Sequence, residues 1–557
     1  MSTSKGGFSL TQWLVIVIAS IGFLFDTYEL LMTPLVAVPA IAELLNLPPN
    51  NPIVTDWTGR MLWITALCGG TFGLAGGWLI DRFGRKRIMA ASIFLYAFSP
   101  FAAAFSTSLS MFVFFRCMTF IGVCVEFIAA ITWLAELFPD ARQRKIVLGS
   151  TQAFASLGGL LVTGINVWIV THANALPALP LPELFNGHAS WRYLLCTGLL
   201  PAIPIALLLP FVPESQIWRE RRAAGTLKRP SFGALFAPDL RRATLVTAAL
   251  SACAYGAAFG ALQLTPLRIA PGLPELAEQR KAMKPLSDEA GELNKQLLAA
   301  LPAFDQATSE VSGLRELAAL RSKNRVAFRQ ANKLSANEKA LALTNDFKQL
   351  GAKLDELTSA KPEAKIALVE REKILKALGD NREKIEPLDK AVKERGNTVQ
   401  FRQEMGGLVG RIILALLLVT AIAKRTLLRL FIVPGLIAFP VAYFHLYHGG
   451  GAAFDLGIFF CGLLVVAQFS YFGEYLPKIF PLHLRGTGGS FATNVGGRMI
   501  GTSAAFLTTN ILAPKMSGLT TFDKVALAAA IVGTGVFVIG FALSFLLPEP
   551  KAETAEA

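Results

Sequence analysis

Charge is scarce in this chain. Asp, Glu, Lys and Arg make up 17% of the residues against 53% hydrophobic, and the mean hydropathy is +0.49. That is more apolar and less charged than a soluble globular protein needs to be. Cysteine is scarcer still. Cys68, Cys117, Cys124, Cys196, Cys253 and Cys461 all fall in apolar runs, none in a loop and none paired at metal-ligand spacing. This excludes a disulfide framework and a zinc site, and leaves cysteine as a small helix-core hydrophobe. The formal charge is +14, yet no compact basic patch with interleaved aromatics exists, so nucleic-acid binding is excluded. No nucleophile–base or metal constellation stands out, so the sequence implies neither an enzyme nor a cofactor. The N-terminus has a short polar lead before the apolar run 13–24 and no small-residue cleavage site. It reads as a first transmembrane helix rather than a removed signal peptide.

What the chain does have is long apolar runs, at about 12–34, 58–80, 88–106, 109–137, 146–171, 191–212, 243–266, 405–423, 429–447, 455–475, 488–512 and 524–547. Each is close to the roughly 20 residues that cross about 30 Å of hydrocarbon, and backbone groups unpaired in lipid demand helices. These are spans 1 to 12. The short loops carry their bases on one side only: Arg82, Arg85, Lys86 and Arg87; Arg142, Arg144 and Lys145; the stretch 213–242; Lys424 and Arg425; Lys478 and Arg485. On the other side 35–57, 172–190 and 448–454 have no Lys or Arg, and 512–522 has only Lys515. Basic short loops stay cytoplasmic, which puts both termini inside a cytoplasmic (inner) membrane crossed many times. The expected organisation is a six-helix half 1–212, a cytoplasmic linker 213–242, span 7 in 243–271, an insert 272–402, spans 8–12 in 403–547 and a tail 548–557. A 6+6 layout suits two related repeats around a midplane site.

The insert lies on the non-cytoplasmic side and is rich in Ala, Leu, Glu and Lys. Phe347, Leu350, Leu354 and Leu357 mark one face of a helix. Ser335-Ala336-Asn337-Glu338 has the form of a capping box. Pro285, Pro302, Pro362 and Pro387 are expected to cut the run into several helices, because an interior proline costs about 3 kcal/mol. The prediction is a helical hairpin or small bundle; no heptad run is long enough to specify an extended coiled coil. It is expected to serve either as a partner-binding or substrate-delivery domain or as a tolerated insertion in an exposed loop.

Ionisable groups at membrane depth cost about 2.5–3.5 kcal/mol each and need a partner or a polar cavity. Four stand out: Asp26 in span 1, Arg116 and Glu126 in span 4, and Arg498 in span 11. At about 1.5 Å per residue, Asp26 and Arg116 lie at similar heights on the outer side of the middle and are expected to pair. Glu126 and Arg498 lie near mid-depth, one in each half. Glu29 is expected nearer the outer surface and solvated. An acid that alternates between an arginine and a proton can couple proton flow to a conformational change. A fixed arginine holds a carboxylate through a two-pronged fork. The alternative for each is a buried pair that only fixes helix packing.

The run Gly77-Trp78-Leu79-Ile80-Asp81-Arg82-Phe83-Gly84-Arg85-Lys86-Arg87 resembles the loop between helices 2 and 3 of the major facilitator superfamily, G-x-L-x-D-R-x-G-R-K-x. Arg116…Gly122…Glu126…Ala135-Glu136-Leu137-Phe138-Pro139…Arg142 is similar to the helix 4 run of its sugar porters and organic-acid:proton symporters. Glu474-Tyr475-Leu476-Pro477…Arg485-Gly486 is the matching run of the second half. Pro213-Glu214-Ser215 and Pro548-Glu549-Pro550 resemble the P-E-S and P-E-T ends of the two halves. The resemblance implies an all-α membrane fold of twelve transmembrane helices in two six-helix halves, here with a helical insert between helices 7 and 8. It implies a gate of Gly77, Asp81, Arg82, Gly84, Arg85, Glu136, Arg142, Glu474 and Arg485, with Asp81 on the positive end of a neighbouring helix and Arg85 on Glu136. It also implies proton coupling through Asp26 and Arg116, to which the mid-depth acid Glu126 is added as a second expected proton carrier.

The departures matter too. Ala423-Lys424-Arg425-Thr426 lacks the D-R-x-G-R-R copy, so the gate is expected to be asymmetric. Span 7 lacks the Q-Q-x-x-G-x-N run of sugar porters, and Gly159 stands near the place of a second glutamine. A cavity poor in amides but holding Arg498 suits an anionic metabolite. The expectation is proton-coupled uptake of a small organic anion by alternating access, with Arg498, Gln152, Asn494, Tyr28 and Tyr255 binding substrate. The open alternatives are a sugar or polyol carrier, and a transporter-derived receptor that works through the insert.

Overall fold

The computed structural model describes residues 8–45, 47, 52–138, 140–181, 185, 187–200, 202–225, 230–333, 338–420, 422–517 and 519–550. Its regular elements are all helices among these residues. Nine of the described helices are long and apolar enough to cross a membrane. Spans 1 to 5 are Leu10–Leu45, Pro52–Phe83, Arg85–Ala104, Leu109–Leu137 and Ala141–His172. Spans 7, 9, 10 and 12 are built on Arg241–Gly260, Lys424–Pro440, Gly451–Ile479 and Thr521–Ser544. Ser108, Asp140 and Thr520 cap spans 4, 5 and 12, each side chain accepting the amide N–H three residues on. Their flanks bear large exposed apolar side chains such as Phe72, Phe98, Val170, Ile437 and Val538, the surface that lipid covers.

The remaining three spans are irregular, each for a local reason. Span 6 breaks into Ser190–Cys196 and Ala202–Leu208 with a tighter turn at Thr197–Leu199 between them. Span 8 has no start of its own: it is the end of the helix Pro362–Leu418 and carries Arg402, Glu404 and Arg411. Span 11 begins as Arg485–Ser490 and then winds in wide π turns over Phe491–Gly501 and Leu507–Leu512. Such turns are rare and concentrate at functional sites.

Contacts divide the chain into two compact units, Met1–Leu179 with Gly187–Glu275 and Arg395–Ala557, and Pro180–Asn186 with Leu276–Glu394. In the smaller unit Phe304, Val311, Leu314, Leu354 and Leu368 form a separate core, with Leu357 packed on it. Phe347 stacks on Phe328, centroids 4.7 Å apart. The expectation that proline cuts this segment fails at three of four positions. Ala277–Glu310 contains Pro285 and Pro302, and Pro362–Leu418 contains Pro387. Only Pro362 starts a helix. An interior proline removes one hydrogen bond and bends the helix, yet all three lie exposed within continuous helices. The break instead comes at Gly313, with φ 81°. Of the capping box, Ser335 to Asn337 lie outside the described residues.

Within the larger unit the apolar cores do not cross between the halves. One half buries Val15, Ile93, Trp133 and Val212 in one cluster and Met32, Phe112 and Leu194 in another. The other buries Leu250, Phe439, Tyr471 and Phe537. The halves meet through small residues and hydrogen bonds and through isolated ring contacts such as Trp63 on Phe506. Ser490 Oγ donates to Gly73 O at 2.6 Å, and a Cβ on Gly77 would stand 2.6 Å from Gly486 O. An interface of this kind can be remade without exposing a hydrophobic core.

Candidate functional site

A cavity of about 820 Å³, its open mouth included, lies between the halves. Asp26, Gln152, Tyr255 and Arg498 line it. So do Ser156, Gln263, Gln403, Glu404 and Arg411, which the sequence did not single out. Its aromatic walls are Phe23, Phe127, Phe259 and Phe469. Two residues expected in it are elsewhere. Tyr28 is fully buried and hydrogen-bonds to Thr197. Asn494 is buried between spans 11 and 4, its Nδ2 donating to Cys124 O at 3.1 Å and Ser490 Oγ at 2.8 Å. Both positions face a neighbouring helix, a matter of azimuth that depth alone does not give.

Arg498 is built into span 11. Its Nη1 donates to Val123 O at 2.9 Å and to Asn494 Oδ1 at 3.2 Å. Its Nη2 stands 3.8 Å from Asp26 Oδ2, and its guanidinium lies over the Phe127 ring at 5.4 Å. Glu126, fully buried, packs against span 1 at Gly22, one turn from Asp26, in space that only a missing Cβ leaves free. Neither the Asp26 nor the Glu126 carboxylate accepts a hydrogen bond among the described residues.

The expected Asp26–Arg116 pair does not form. Arg116 Nη1 pairs with Glu29 Oε2 at 3.7 Å, and Nη2 donates to Glu29 O at 3.4 Å and to Thr33 Oγ1. Glu29, expected to be solvated, is 1% exposed. The error is one of register. Glu126 meets span 1 at Gly22, and Arg116 lies ten residues nearer the start of span 4, about 15 Å away. That distance carries it past Asp26 to the level of Glu29 and Thr33.

On the face with the basic loops a second set of contacts crosses the halves. Asp81 accepts from Gly486 N at 3.1 Å, Thr487 N at 2.8 Å and Thr487 Oγ1 at 2.8 Å, at the start of span 11. A carboxylate there meets unpaired N–H groups and the positive helix end. Arg85, fully buried, joins Glu136 at 2.9 Å and Asp81 at 3.4 Å, and donates to Leu482 O at 3.2 Å. Arg485 comes within 4.0 Å of Glu136. Gly84, at φ 107°, turns the chain between spans 2 and 3. Arg82 is exposed and lies over Trp78, and Arg142 is exposed.

The second half is less degenerate than its loop sequence implies. Glu214 accepts from the amides of Arg85 at 3.0 Å and Lys86 at 3.1 Å. Glu549 accepts likewise from Lys424 at 3.2 Å and Arg425 at 3.0 Å. Glu474 pairs with Lys424 at 3.2 Å and with Lys478, as Glu136 does with Arg85. What the loop lacks is an acid in the place of Asp81, so the asymmetry comes down to that one group.

The profile of the Major Facilitator Superfamily matches residues 13–277. The cis,cis-muconate transport protein of Acinetobacter baylyi is 28% identical over 217 residues, 38% of this chain and 47% of that protein. The arabinose-proton symporter of Bacillus subtilis is 28% identical over 153 residues, 27% of this chain and 31% of that protein. These matches thus span less than half of each relative's length. The fold matches that of a proton:xylose symporter solved with 6-bromo-6-deoxy-D-glucose, at a TM-score of 0.55 and 16% identity over 97% of both chains. With two separately cored halves, a cavity at their seam and the tie of Asp81 and Arg85 beside it, this chain has the fold of that symporter and is similar to the Major Facilitator Superfamily over residues 13–277.

Proposed function

We propose that this protein is a carrier that takes a small organic anion into the cell together with protons, by alternating access, and is not an enzyme. The observation that supports it most is Arg498: a guanidinium fixed by one arm to a backbone carbonyl and turned with another toward the cavity, 3.8 Å from Asp26. With the site empty, Asp26 occupies Arg498. A proton on Asp26 frees the guanidinium, and a substrate carboxylate takes the place of Asp26 through a charge-assisted fork. Proton and anion together leave the site with the charge it began with, so the loaded cavity can cross the membrane interior without an unpaired charge. The halves then rock about the site, which requires the ties from Asp81 and Arg85 to open. Loss of the proton on the inner side returns Asp26 to Arg498 and expels the anion. Glu126, one turn from Asp26 across Gly22, is the second proton carrier. Arg116 and Glu29 brace span 4 against span 1. The basic loops support a reading with both termini in the cytoplasm.

A sugar or polyol substrate is the second reading. It draws on the amides of Gln152, Gln263 and Gln403 in the cavity and on the similarity to an arabinose-proton symporter. Uptake into proteoliposomes separates the two. The anion reading expects an inward proton gradient to accelerate carboxylate uptake and Arg498→Ala to abolish it. Gradient-independent uptake would remove the proton, and saturable uptake of neutral sugars alone would remove the anion.

A further inference from the structure

We infer that the cavity takes a small dicarboxylate, one carboxylate on Arg498 and the other on Arg411. The inference rests on the anion-carrier reading above and narrows its substrate class.

Arg411 sits in span 8, 7% exposed, and lines the same cavity as Arg498, which is 4% exposed. The two are held in the same manner. Arg498 Nη1 donates to Val123 O of span 4 at 2.9 Å, and Arg411 Nη1 donates to Gln152 O of span 5 at 2.6 Å. Each thus reaches from its own half to a mid-helix carbonyl of the other, and each Nε has no partner among the described residues. A helix carbonyl satisfies one prong of a guanidinium and leaves the rest of the fork for a ligand.

Each arginine also shares the cavity with a carboxylate of the chain. Asp26 faces Arg498 at 3.8 Å. Glu404 lies two turns from Arg411 on span 8, held by Gln403 Nε2 at 3.2 Å, in space that Gly159 leaves open: a Cβ there would stand 2.7 Å from Glu404 Oε2. With all four groups charged the site is neutral, which is how two buried cations are tolerated when it is empty. A monocarboxylate can satisfy one arginine only. Two fixed forks on different helices match a ligand with an anionic group at each end, and the walls of Phe127, Phe259 and Phe469 suit a short carbon chain between them.

The full chain in phosphatidylethanolamine–phosphatidylglycerol proteoliposomes tests this. Succinate and adipate compete for uptake against butyrate, hexanoate and benzoate. The expected result is inhibition by a dicarboxylate at concentrations at least about tenfold lower than by the monocarboxylate of the same length, the equivalent of about 1.4 kcal/mol. Arg411→Gln brings the two to near parity, and Arg411→Lys restores part of the difference. Should Arg411→Gln fail to fold, thermal stabilisation of the unaltered protein by succinate well above that by butyrate supports the same conclusion. A monocarboxylate that competes as well as its dicarboxylate overturns the inference and leaves the anion reading standing. So does a dicarboxylate preference that survives Arg411→Gln, which makes Arg411 only a brace on Gln152. If no carboxylate competes or stabilises at all, the anion reading fails and this one with it.

Discussion

Asp26 of span 1 and Arg498 of span 11 face each other at 3.8 Å across the seam between the two halves, close enough to pair and too far to hydrogen-bond. Such a pair is held by charge more than by geometry, so either partner can exchange the other for a ligand or a proton. The arrangement gives Arg498 its first test. Arg498→Ala should abolish carboxylate uptake, and Arg498→Lys should keep about one part in a hundred or less, because an ammonium lacks the planar fork. Initial uptake rates in proteoliposomes measure both.

Asp26→Asn removes the proton site while keeping the size of the side chain. The expected variant still exchanges substrate across the membrane in counterflow but no longer responds to an imposed pH gradient. A variant that still accumulates substrate on a proton gradient would assign coupling to Glu126 instead.

Arg116 and Glu29 form a buried pair away from the cavity. Removing one partner of such a pair costs about 3–5 kcal/mol, because the other charge is stranded. Arg116→Leu should therefore lower the melting temperature in detergent markedly, and adding Glu29→Gln should recover much of the loss. An Arg116→Leu variant of full stability and altered proton dependence would return Arg116 to the coupling machinery.

Asp81 accepts three hydrogen bonds from the start of span 11. Hydrogen bonds to a charged group contribute about 1.5–3 kcal/mol each, so Asp81→Asn should shift the resting population toward the state open at the basic face. Cysteines placed along the cavity should then react at least about tenfold faster with a reagent added from that side. Glu549→Gln, the counterpart of a change at Glu214, should act more weakly, since the contacts of Glu549 among the described residues lie within its own half.

Outside the membrane spans, Glu275 is hydrogen-bonded by Arg395 at 2.8 Å and by Gly451 N at 3.1 Å, and Arg395 also reaches Asp455 at 2.7 Å. Partial burial pushes the Glu275 carboxyl up, but these donors outweigh it and hold it below its ordinary value. A depressed folded-state value means that this staple contributes fully above the unfolded value of about 4.3. It is lost as pH falls through the lower folded one. Hydrogen exchange at Gly451 should therefore rise on acidification below about pH 4 and at neutral pH in Arg395→Gln; protection unchanged in both would show that the staple holds nothing.

How much of this was legible in the sequence depends on the kind of property. The spans, the side on which the bases lie, the turn at Gly84 and the rank of Asp81, Arg85, Glu136 and Arg498 are local. Lipid accepts a backbone only as helix and charge only at loops or in protected places, so each residue reports its level by its own chemistry. Which residues face each other is not local. Depth along a helix places a group to within about a turn or two, and azimuth and register come only from packing. That is why Asp26 met Arg498 and not Arg116, and why Tyr28 and Asn494 turned toward helices instead of the cavity. Arg411 and Glu404 were hidden for a further reason: their charges continue those of the insert along one unbroken helix, Pro362–Leu418. Only the folded chain shows that this helix carries them into the seam, where a buried cation must find a carbonyl, an acid or a substrate.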